Sequence, residues 1–314
     1  MNLHYRSGLP VASSRSVPGW GCAVTLEGMP ELPEVETIAR GVNRRVRGDR
    51  IVSVWFSQHK EPFKTPPDTM ATALDGRRIA RVARTGKQIV LDLERADSGR
   101  RGASRSSRAT DSWDVQWLVH LGMTGRLLVS AAAAPVEPHT HAILRLASGR
   151  ELRFVDPRRF GRLALHPQDE GRFTGPGHEP LSISSDDFVA LFRGRKLSIK
   201  AALLNQSLLQ GVGNIYADES LFRARIRPTR VAGRLTRERL LCLRAGLRAV
   251  LEAAIRAGGS SVSDYVDADG ERGFFQIQHR VYGREGEPCR VCGTPIRRIV
   301  LGGRGTHFCP HCQT

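Results

Sequence analysis

The stretch MPELPEVETIARGV (residues 29–42) predicts the first element of the fold. Apolar residues recur there and just beyond at helical spacing: Val35, Ile38, Val42 and Val46. Pro33 suits a first helical turn, and Gly48 supplies a stop. The pattern predicts a helix that begins almost at Met29, so a run typical of a protein's start lies inside this chain.

The preceding residues, 1–28, mix Ser, Pro, Gly and Arg without apolar periodicity. They are predicted to be a disordered or non-native extension. The short apolar run CAVTL within them is too short for a secretory signal, although their composition leaves a transit peptide open. Across the chain no uncharged apolar run approaches the roughly 18 to 20 residues that span a bilayer, which predicts a soluble protein without a membrane partner.

The chain is strongly basic, with 48 Lys and Arg against 31 Asp and Glu and a formal net charge of +17. Such an excess is typical of nucleic-acid binders. An arginine-rich composition inherited from a GC-rich genome accounts for the charge equally well, so charge alone does not separate the two. Four of the six cysteines lie within residues 289–314, a distribution that favours a reducing compartment over a disulfide framework.

Short β-rich runs with turn signals follow the first helix. They are RIVSVWF (50–56), QIVLDL (88–93), VQWLVHL (115–121), GRLLVS (125–130), HAILRLA (141–147) and RELRFV (150–155). This pattern predicts a sandwich or barrel over residues 29–170. A basic run poor in apolar residues, 96–111, is interpreted as a mobile insertion between two of its strands.

The second half begins as a helical domain, predicted over residues 180–275. Its helices are SSDDFVALFRG with Ser185 or Asp186 as cap, SIKAALLNQSLLQG, GNIYADESLFRARI and TRERLLCLRAGLRAVLEAAIRAGG. A small cysteine-anchored module, 280–314, ends the chain.

The cysteines of this module follow the pattern C-x2-C-x16-C-x2-C: Cys289, Cys292, Cys309 and Cys312. Two thiolate pairs at this spacing close a tetrahedral zinc site, and four sulfur ligands leave no position for substrate. We therefore expect one structural Zn²⁺; a redox dithiol would account for only one pair. The zinc would hold a hairpin with Arg304 at its tip, where a guanidinium can grip a phosphate. Taken alone, Arg304 is equally a solvated loop arginine.

Three further motifs permit contact with a nucleic acid, although each has an ordinary explanation. GVGN (211–214) offers backbone N–H groups between two helices, but glycine there is usually a turn. DPRRFG (156–161) places Phe160 beside arginines as a wedge would be placed, or as a core residue beside solvated cations. Met123 lies in a glycine-rich turn, where methionine usually fills a gap.

Together these motifs resemble the bacterial formamidopyrimidine-DNA glycosylase family. The resemblance rests on PELPEVET (30–37), Lys87 in RTGKQIVLDL, HLGMTG (120–125), DPRRFG, GVGNIYADE and VYGREGEPCRVCGTPI, in that order. It implies a multidomain α+β fold: an N-terminal β-sandwich that opens with a helix, a helix-two-turn-helix domain and a C-terminal zinc finger. The extension 1–28 and the insertion 96–111 depart from the family's pattern.

The resemblance also implies a chemistry, namely excision of oxidised purines followed by β- and δ-elimination. The nucleophile would be the α-amine of Pro30. An α-amine with a pKa near 8 is about 10% neutral at pH 7, whereas a lysine is about 0.04% neutral. Glu31 would move protons at the sugar, Lys87 would contact a phosphate and assist elimination, and Arg304 would bind the flanking phosphates and serve the last elimination.

By the same resemblance, duplex DNA with oxidised purines or abasic sites is the partner, and the damaged nucleotide is flipped out of the stack. DNA contacts are assigned to His139, Arg158, Arg195 and Asn214. A wedge is assigned to Met123, Arg158 and Phe160. Residues 258–274 correspond to a mobile lesion-sensing loop. A monomer in the bacterial cytoplasm, associated with the nucleoid, is expected.

Two alternatives stay open. The sister family that removes oxidised pyrimidines usually opens with Pro-Glu-Gly-Pro-Glu, whereas this chain has Leu32. A catalytically dead lesion binder would result if the extension kept the nitrogen of Pro30 in an amide. Our hypothesis is that translation starts at Met29 or that the extension is removed.

Overall fold

The computed structural model describes residues 29–95, 113–260, 268 and 273–314. The predictions for the extension 1–28, for the insertion 96–111 and for most of the 258–274 loop lie outside the described residues. Within them, no helix combines the length and the apolar character needed to cross a bilayer.

The first helix forms where the sequence predicts it, as α1 (Leu32–Val46). A residue of the helix itself caps its N-terminus: the backbone N–H of Glu31 donates to Glu34 Oε2 at 2.9 Å, as in a capping box. The apolar stripe is buried, and Gly48 follows the helix with a φ of 85°.

Two four-stranded antiparallel sheets form the N-terminal domain, which confirms the predicted sandwich. One has the order β1-β6-β7-β5 and the other the order β2-β3-β4-β8. The strands are β1 (Ile51–Phe56), β2 (Arg77–Thr85), β3 (Gln88–Arg95), β4 (Val115–His120), β5 (Arg126–Ala131), β6 (Thr140–Leu146), β7 (Arg150–Val155) and β8 (Arg162–Pro167). Trp117 and Phe154 are fully buried in the shared core.

Sequence patterns did not predict β2, β8 or the short helix α2 (Pro67–Leu74). In β2 an irregular register between Ile79 and Arg81 shifts the buried positions from Ile79 to Val82, so strict alternation is lost. Four of its nine residues are arginines, so few apolar residues remain to indicate a strand.

The helical domain contains α3 (Ser185–Phe192), α4 (Ile199–Leu204), α5 (Asn214–Arg223) and α6 (Arg237–Arg256). Short 3-10 helices lie at Gln168–Glu170, Ala232–Arg234 and Phe275–Gln278. The predicted cap of α3 was wrong by one residue. Ser184 caps the helix, because its extended backbone lets Oγ accept from Asp187 N at 3.1 Å.

The prediction of one helix through residues 198–211 was also wrong, since α4 ends at Leu204. Gln206 stabilises the turn that follows: its Nε2 donates to Leu204 O and Val212 O, and its Oε1 accepts from Gly211 N. A side chain that satisfies three backbone groups of the turn replaces the helical bonds that these groups would otherwise make.

The C-terminal module is a finger whose hairpin pairs β9 (Arg297–Leu301) with β10 (Arg304–Phe308). Gly302 and Gly303 form its turn with φ values of 59° and 76°, so Arg304 begins β10 directly after the tip. The boundaries 29–170, 180–275 and 280–314 stay predictions. The buried apolar residues form three clusters, centred on the sandwich, the helices and the finger.

Candidate active site

A cavity of about 320 Å³ lies where the sandwich, the helical domain and the finger meet. It brings together three of the four predicted catalytic residues, Glu31, Lys87 and Arg304, with Asn214. Glu31 is the N-cap of α1, Lys87 lies in the β2–β3 turn, Arg304 begins β10 and Asn214 begins α5. The sequence pattern alone could not show that these segments converge.

The fourth predicted catalytic residue, Pro30, is buried beside Glu31. In the 314-residue chain its nitrogen is bonded to Met29, and Met29 lines the cavity. An amide nitrogen has no free lone pair for attack on carbon. The predicted nucleophile therefore lies between two residues that line the cavity, Met29 and Glu31.

Glu31 is buried at the point where α1 meets α5, with 5% of its surface exposed. Its Oε1 accepts from Ile215 N at 3.1 Å and its Oε2 from Tyr216 N at 3.4 Å. These amides belong to the first turn of α5, which favours a negative charge. Gly213 permits the approach, because a Cβ there would lie 2.2 Å from Glu31 Cδ.

Burial nevertheless raises the pKa of Glu31 to about 7. Lys87 lowers it, the nearby Glu34 raises it, and the two α5 amides lower it, but desolvation is the largest influence. A carboxyl group that titrates near neutrality can both donate and accept a proton at physiological pH, as an acid–base catalyst must.

Lys87 follows the tight turn at Gly86, whose φ is 58°. Burial lowers the pKa of Lys87, and Arg304 lowers it further, while Glu31 acts in the opposite direction. The cavity therefore holds two cations and one carboxyl group within electrostatic reach of one another. Such a distribution suits an anionic ligand.

Glu34 is a supporting residue that sequence reasoning missed. Its Oε2 holds the amide of Glu31, and its Oε1 accepts from the Tyr216 hydroxyl and from Ser260 N, the latter at 2.7 Å. Burial raises its pKa. Glu34 thus ties the start of α1 to α5 and to the residue at the root of the predicted lesion-sensing loop.

His120 and Tyr282 also line the cavity and were not predicted. The backbone N–H of Gly122 donates to His120 Nδ1 at 3.0 Å, so in the neutral ring the proton resides on Nε2. Burial, Lys87 and Arg162 lower the pKa of His120, which keeps the ring neutral. Both residues lie in the family motifs HLGMTG and VYGREG. The motifs do not indicate which of their side chains face the cavity, and only the structure shows this.

The predicted wedge residues lie outside this cavity. The Arg158 guanidinium stands 4.8 Å from the centre of the Phe160 ring, and Phe160 is 47% exposed, so the interpretation of Phe160 as a core residue is wrong. Asp156 shapes their turn by accepting from Gly161 N and Thr124 Oγ1. Met123, in contrast, is 7% exposed.

The other predicted DNA contacts are dispersed. His139 is exposed with a φ of 64°, and Arg195 is partly buried, with its Nε donating to Leu191 O. Asn214 is buried, and its Nδ2 donates to Gly305 O at 3.0 Å. The roles assigned to these residues stay predictions.

The four finger cysteines fit the expected metal. All four sulfur atoms lie within 4.8 Å of one another, with Cys289 and Cys312 at 4.0 Å and Cys292 and Cys309 at 3.5 Å. Four thiolates about 2.3 Å from a tetrahedral zinc lie about 3.8 Å apart. This donor set holds one structural Zn²⁺.

Comparison with known proteins gives matches along nearly all the described chain. Residues 29–163 match the formamidopyrimidine-DNA glycosylase N-terminal domain, 176–266 its H2TH domain, and 286–314 the zinc finger found in FPG and IleRS.

Individual relatives agree. A formamidopyrimidine-DNA glycosylase of Solibacter usitatus is 45% identical over 91% of this chain and 99% of its own. The MutM (FPG) protein of Thermus thermophilus is 42% identical, with a TM-score of 0.74 over 90% of this chain and 98% of its own. A Lactococcus lactis FPG mutant, in a complex with a Fapy-dG containing DNA, is 32% identical with a TM-score of 0.78 over 91% and 100%. This chain therefore belongs to the formamidopyrimidine-DNA glycosylase family.

Proposed function

We propose that the protein is a base-excision repair enzyme that removes oxidised purines from duplex DNA and then cleaves the strand, with the α-amine of Pro30 as nucleophile. The observation that carries this proposal is that Glu31, at the N-cap of α1, lines one cavity together with Lys87 and Arg304. The Lactococcus lactis relative, bound to DNA that contains Fapy-dG, supports the choice of duplex DNA as partner.

The first step is attack of the Pro30 amine on C1′ of the damaged nucleotide. The bond between C1′ and the base breaks, and the base leaves with its electron pair and the proton that the Pro30 nitrogen gives up. The bond between C1′ and the ring oxygen then breaks as that oxygen takes a second proton. Glu31, with a pKa raised to about 7, donates and recovers protons at that oxygen. The product is an iminium ion that joins Pro30 to C1′.

The iminium ion draws electrons from C2′, so loss of a C2′ proton expels the 3′ phosphate oxygen. A second elimination then breaks the bond to the 5′ phosphate oxygen. Lys87 and Arg304 neutralise the departing phosphates from the wall of the cavity. Arg158 and Phe160 would fill the gap that the flipped nucleotide leaves, a role supported by their exposure and by the stacking of the guanidinium on the ring. We further propose a monomer that acts in the bacterial cytoplasm on nucleoid DNA.

A second candidate is a lesion-binding protein without lyase activity, and one observation favours it. In the 314-residue chain Pro30 is acylated and Met29 lines the cavity. Borohydride trapping on an 8-oxoguanine duplex separates the two functions. A chain that starts at Met29, with the methionine removed, should form a covalent adduct at Pro30, whereas the 314-residue chain should form none there.

The matched control is Glu31→Gln in the shorter chain, which keeps Pro30 and should trap slowly. Peptide mapping of the adduct identifies the residue that carries it. Absence of an adduct with the shorter chain, despite measurable binding to the same duplex, would reject the enzyme and leave the lesion binder.

A further inference from the structure

Two charged side chains are buried behind the cavity, where α4 and α5 meet the finger hairpin. Lys200 is 1% exposed and Asp218 is 0% exposed. Their Nζ and Oδ1 atoms lie 2.7 Å apart. Burial lowers the pKa of Lys200, while the charge of Asp218 and the hydrogen bond to it act in the opposite direction.

Both members of this pair bind the same short segment of β10. Lys200 Nζ donates to Gly305 O at 2.9 Å and to Thr306 Oγ1 at 2.9 Å. Asp218 Oδ2 accepts from His307 N at 2.8 Å. The pair therefore contacts the three residues that follow Arg304, and two of these contacts are to the backbone.

Burying an ion pair is expensive, and apolar side chains of equal volume are often as stabilising. Hydrogen bonds to defined backbone atoms supply what apolar packing does not, namely a fixed register of one element against another. Here the fixed element is β10, and its first residue is Arg304.

The zinc site alone leaves that residue distant from its anchor. Cys309 is the first zinc ligand after Arg304, five residues along an extended strand, which is about 16 Å at the usual rise per residue. The Lys200–Asp218 pair holds the opposite end of the hairpin, next to the glycine turn.

We propose that Lys200 and Asp218 are positioning residues for Arg304, which hold the hairpin so that the guanidinium faces the cavity during the last elimination. The inference rests on the proposed function, because it requires that Arg304 serve that step. It predicts that disturbing the pair alters the second elimination selectively and leaves attack by Pro30 nearly unchanged.

The test uses the zinc-loaded chain that starts at Met29, on a duplex with one abasic site. The first tether variant, Lys200→Met, removes the two bonds from Nζ to β10. The second, the double variant Lys200→Met/Asp218→Asn, also removes the carboxylate charge, so it leaves no unpaired charge buried at this position. Val300→Ala is the matched control, because Val300 pairs with Gly305 on the same hairpin but is 67% exposed. Zinc content is measured for every variant, and Arg304→Ala is assayed in parallel.

The products separate the two steps, since the first elimination leaves an unsaturated aldehyde on the 3′ end and the second leaves a phosphate. We expect the second elimination to slow about 10- to 100-fold in both tether variants, as a displacement near 1 Å does, with borohydride trapping within about 3-fold. Val300→Ala should keep the product ratio of the unaltered protein.

Equal slowing of both eliminations with zinc retained, or an unchanged product ratio, would overturn the proposal. Loss of zinc in both variants would also overturn it, in favour of a purely structural role. If Arg304→Ala changes the ratio and the tether variants do not, the proposed function stands and the positioning role fails. If Arg304→Ala itself leaves the ratio unchanged, both fail.

Discussion

Replacing Glu31 by glutamine should make the folded protein more stable at alkaline pH, although it removes the proposed acid–base group. Glutamine keeps the shape and one acceptor for the α5 amides but carries no charge. In the parent protein burial raises the pKa of Glu31 from 4.5 to about 7. The folded state therefore keeps this proton over a pH range in which the unfolded chain has lost it.

The sign follows from proton linkage. Between pH 4.5 and about 7 the unfolded state binds fewer protons at this site than the folded state, so rising pH destabilises the fold until both states are ionised. From the two pKa values, this penalty is about 1 kcal/mol at pH 5 and about 3 kcal/mol at pH 8, using 1.36 kcal/mol per pKa unit. Glu31→Gln has no ionisable group at this position, so this pH-dependent destabilisation is absent from the variant.

The measurement is urea unfolding of the 314-residue chain at both pH values, where Pro30 carries no charge that could couple to Glu31. The free energy of unfolding of Glu31→Gln relative to the parent should rise by about 2 to 3 kcal/mol from pH 5 to pH 8. The control is Glu285→Gln, an exposed glutamate, for which the change should stay within about 0.5 kcal/mol. A pH-independent difference for Glu31→Gln, or a change of opposite sign, would refute the account of its burial.

Three further outcomes are expected. Cys309→Ser should abolish DNA binding together with cleavage, because the hairpin that carries Arg304 loses the zinc ion that holds it. Filter binding, with the zinc content measured in parallel, checks this. Normal binding with lost cleavage would contradict it. Affinity for duplex DNA should fall about 100-fold between 50 and 200 mM salt if four cations meet phosphates, and Arg158→Ala should lower the magnitude of the salt slope by about 1. Gly213→Ala should slow borohydride trapping of DNA about 100-fold or more without unfolding the protein, since the new Cβ would lie 2.2 Å from Glu31 Cδ. Trapping at the rate of the parent protein would show that Glu31 does not need its present position.

The sequence was most informative where structure is local. The periodicity of α1, the alternating strands and the spacing of the cysteine pairs each arise from neighbours along the chain, and all of them were predicted. Local signals failed where another preference obscured them, as with the arginines of β2 and with the Gln206 turn that ends α4.

The electrostatics of the site could not be predicted in the same way. The bond from Ile215 N to Glu31 joins residues 184 positions apart, and the bond from Lys200 to Gly305 spans 105. A pKa raised by burial depends on which domain covers the carboxyl group, and no window of sequence contains that information. The motif predicted a catalytic role for Glu31, whereas the structure shows that burial raises the pKa of its carboxyl group to about 7.

The buried charges explain why the site spans three modules instead of lying within one. Glu31 begins a helix of the sandwich, but the amides that it accepts from belong to α5; Arg304 belongs to the finger, but its strand is held by α4 and α5. Each charged group would face water if the module that covers it moved away, and the pKa of Glu31 would then return toward its ordinary value. The raised pKa of Glu31 is therefore a property of the docked assembly. A change that separates the domains without touching the cavity should lower this pKa and, by the proposed mechanism, the rate of ring opening.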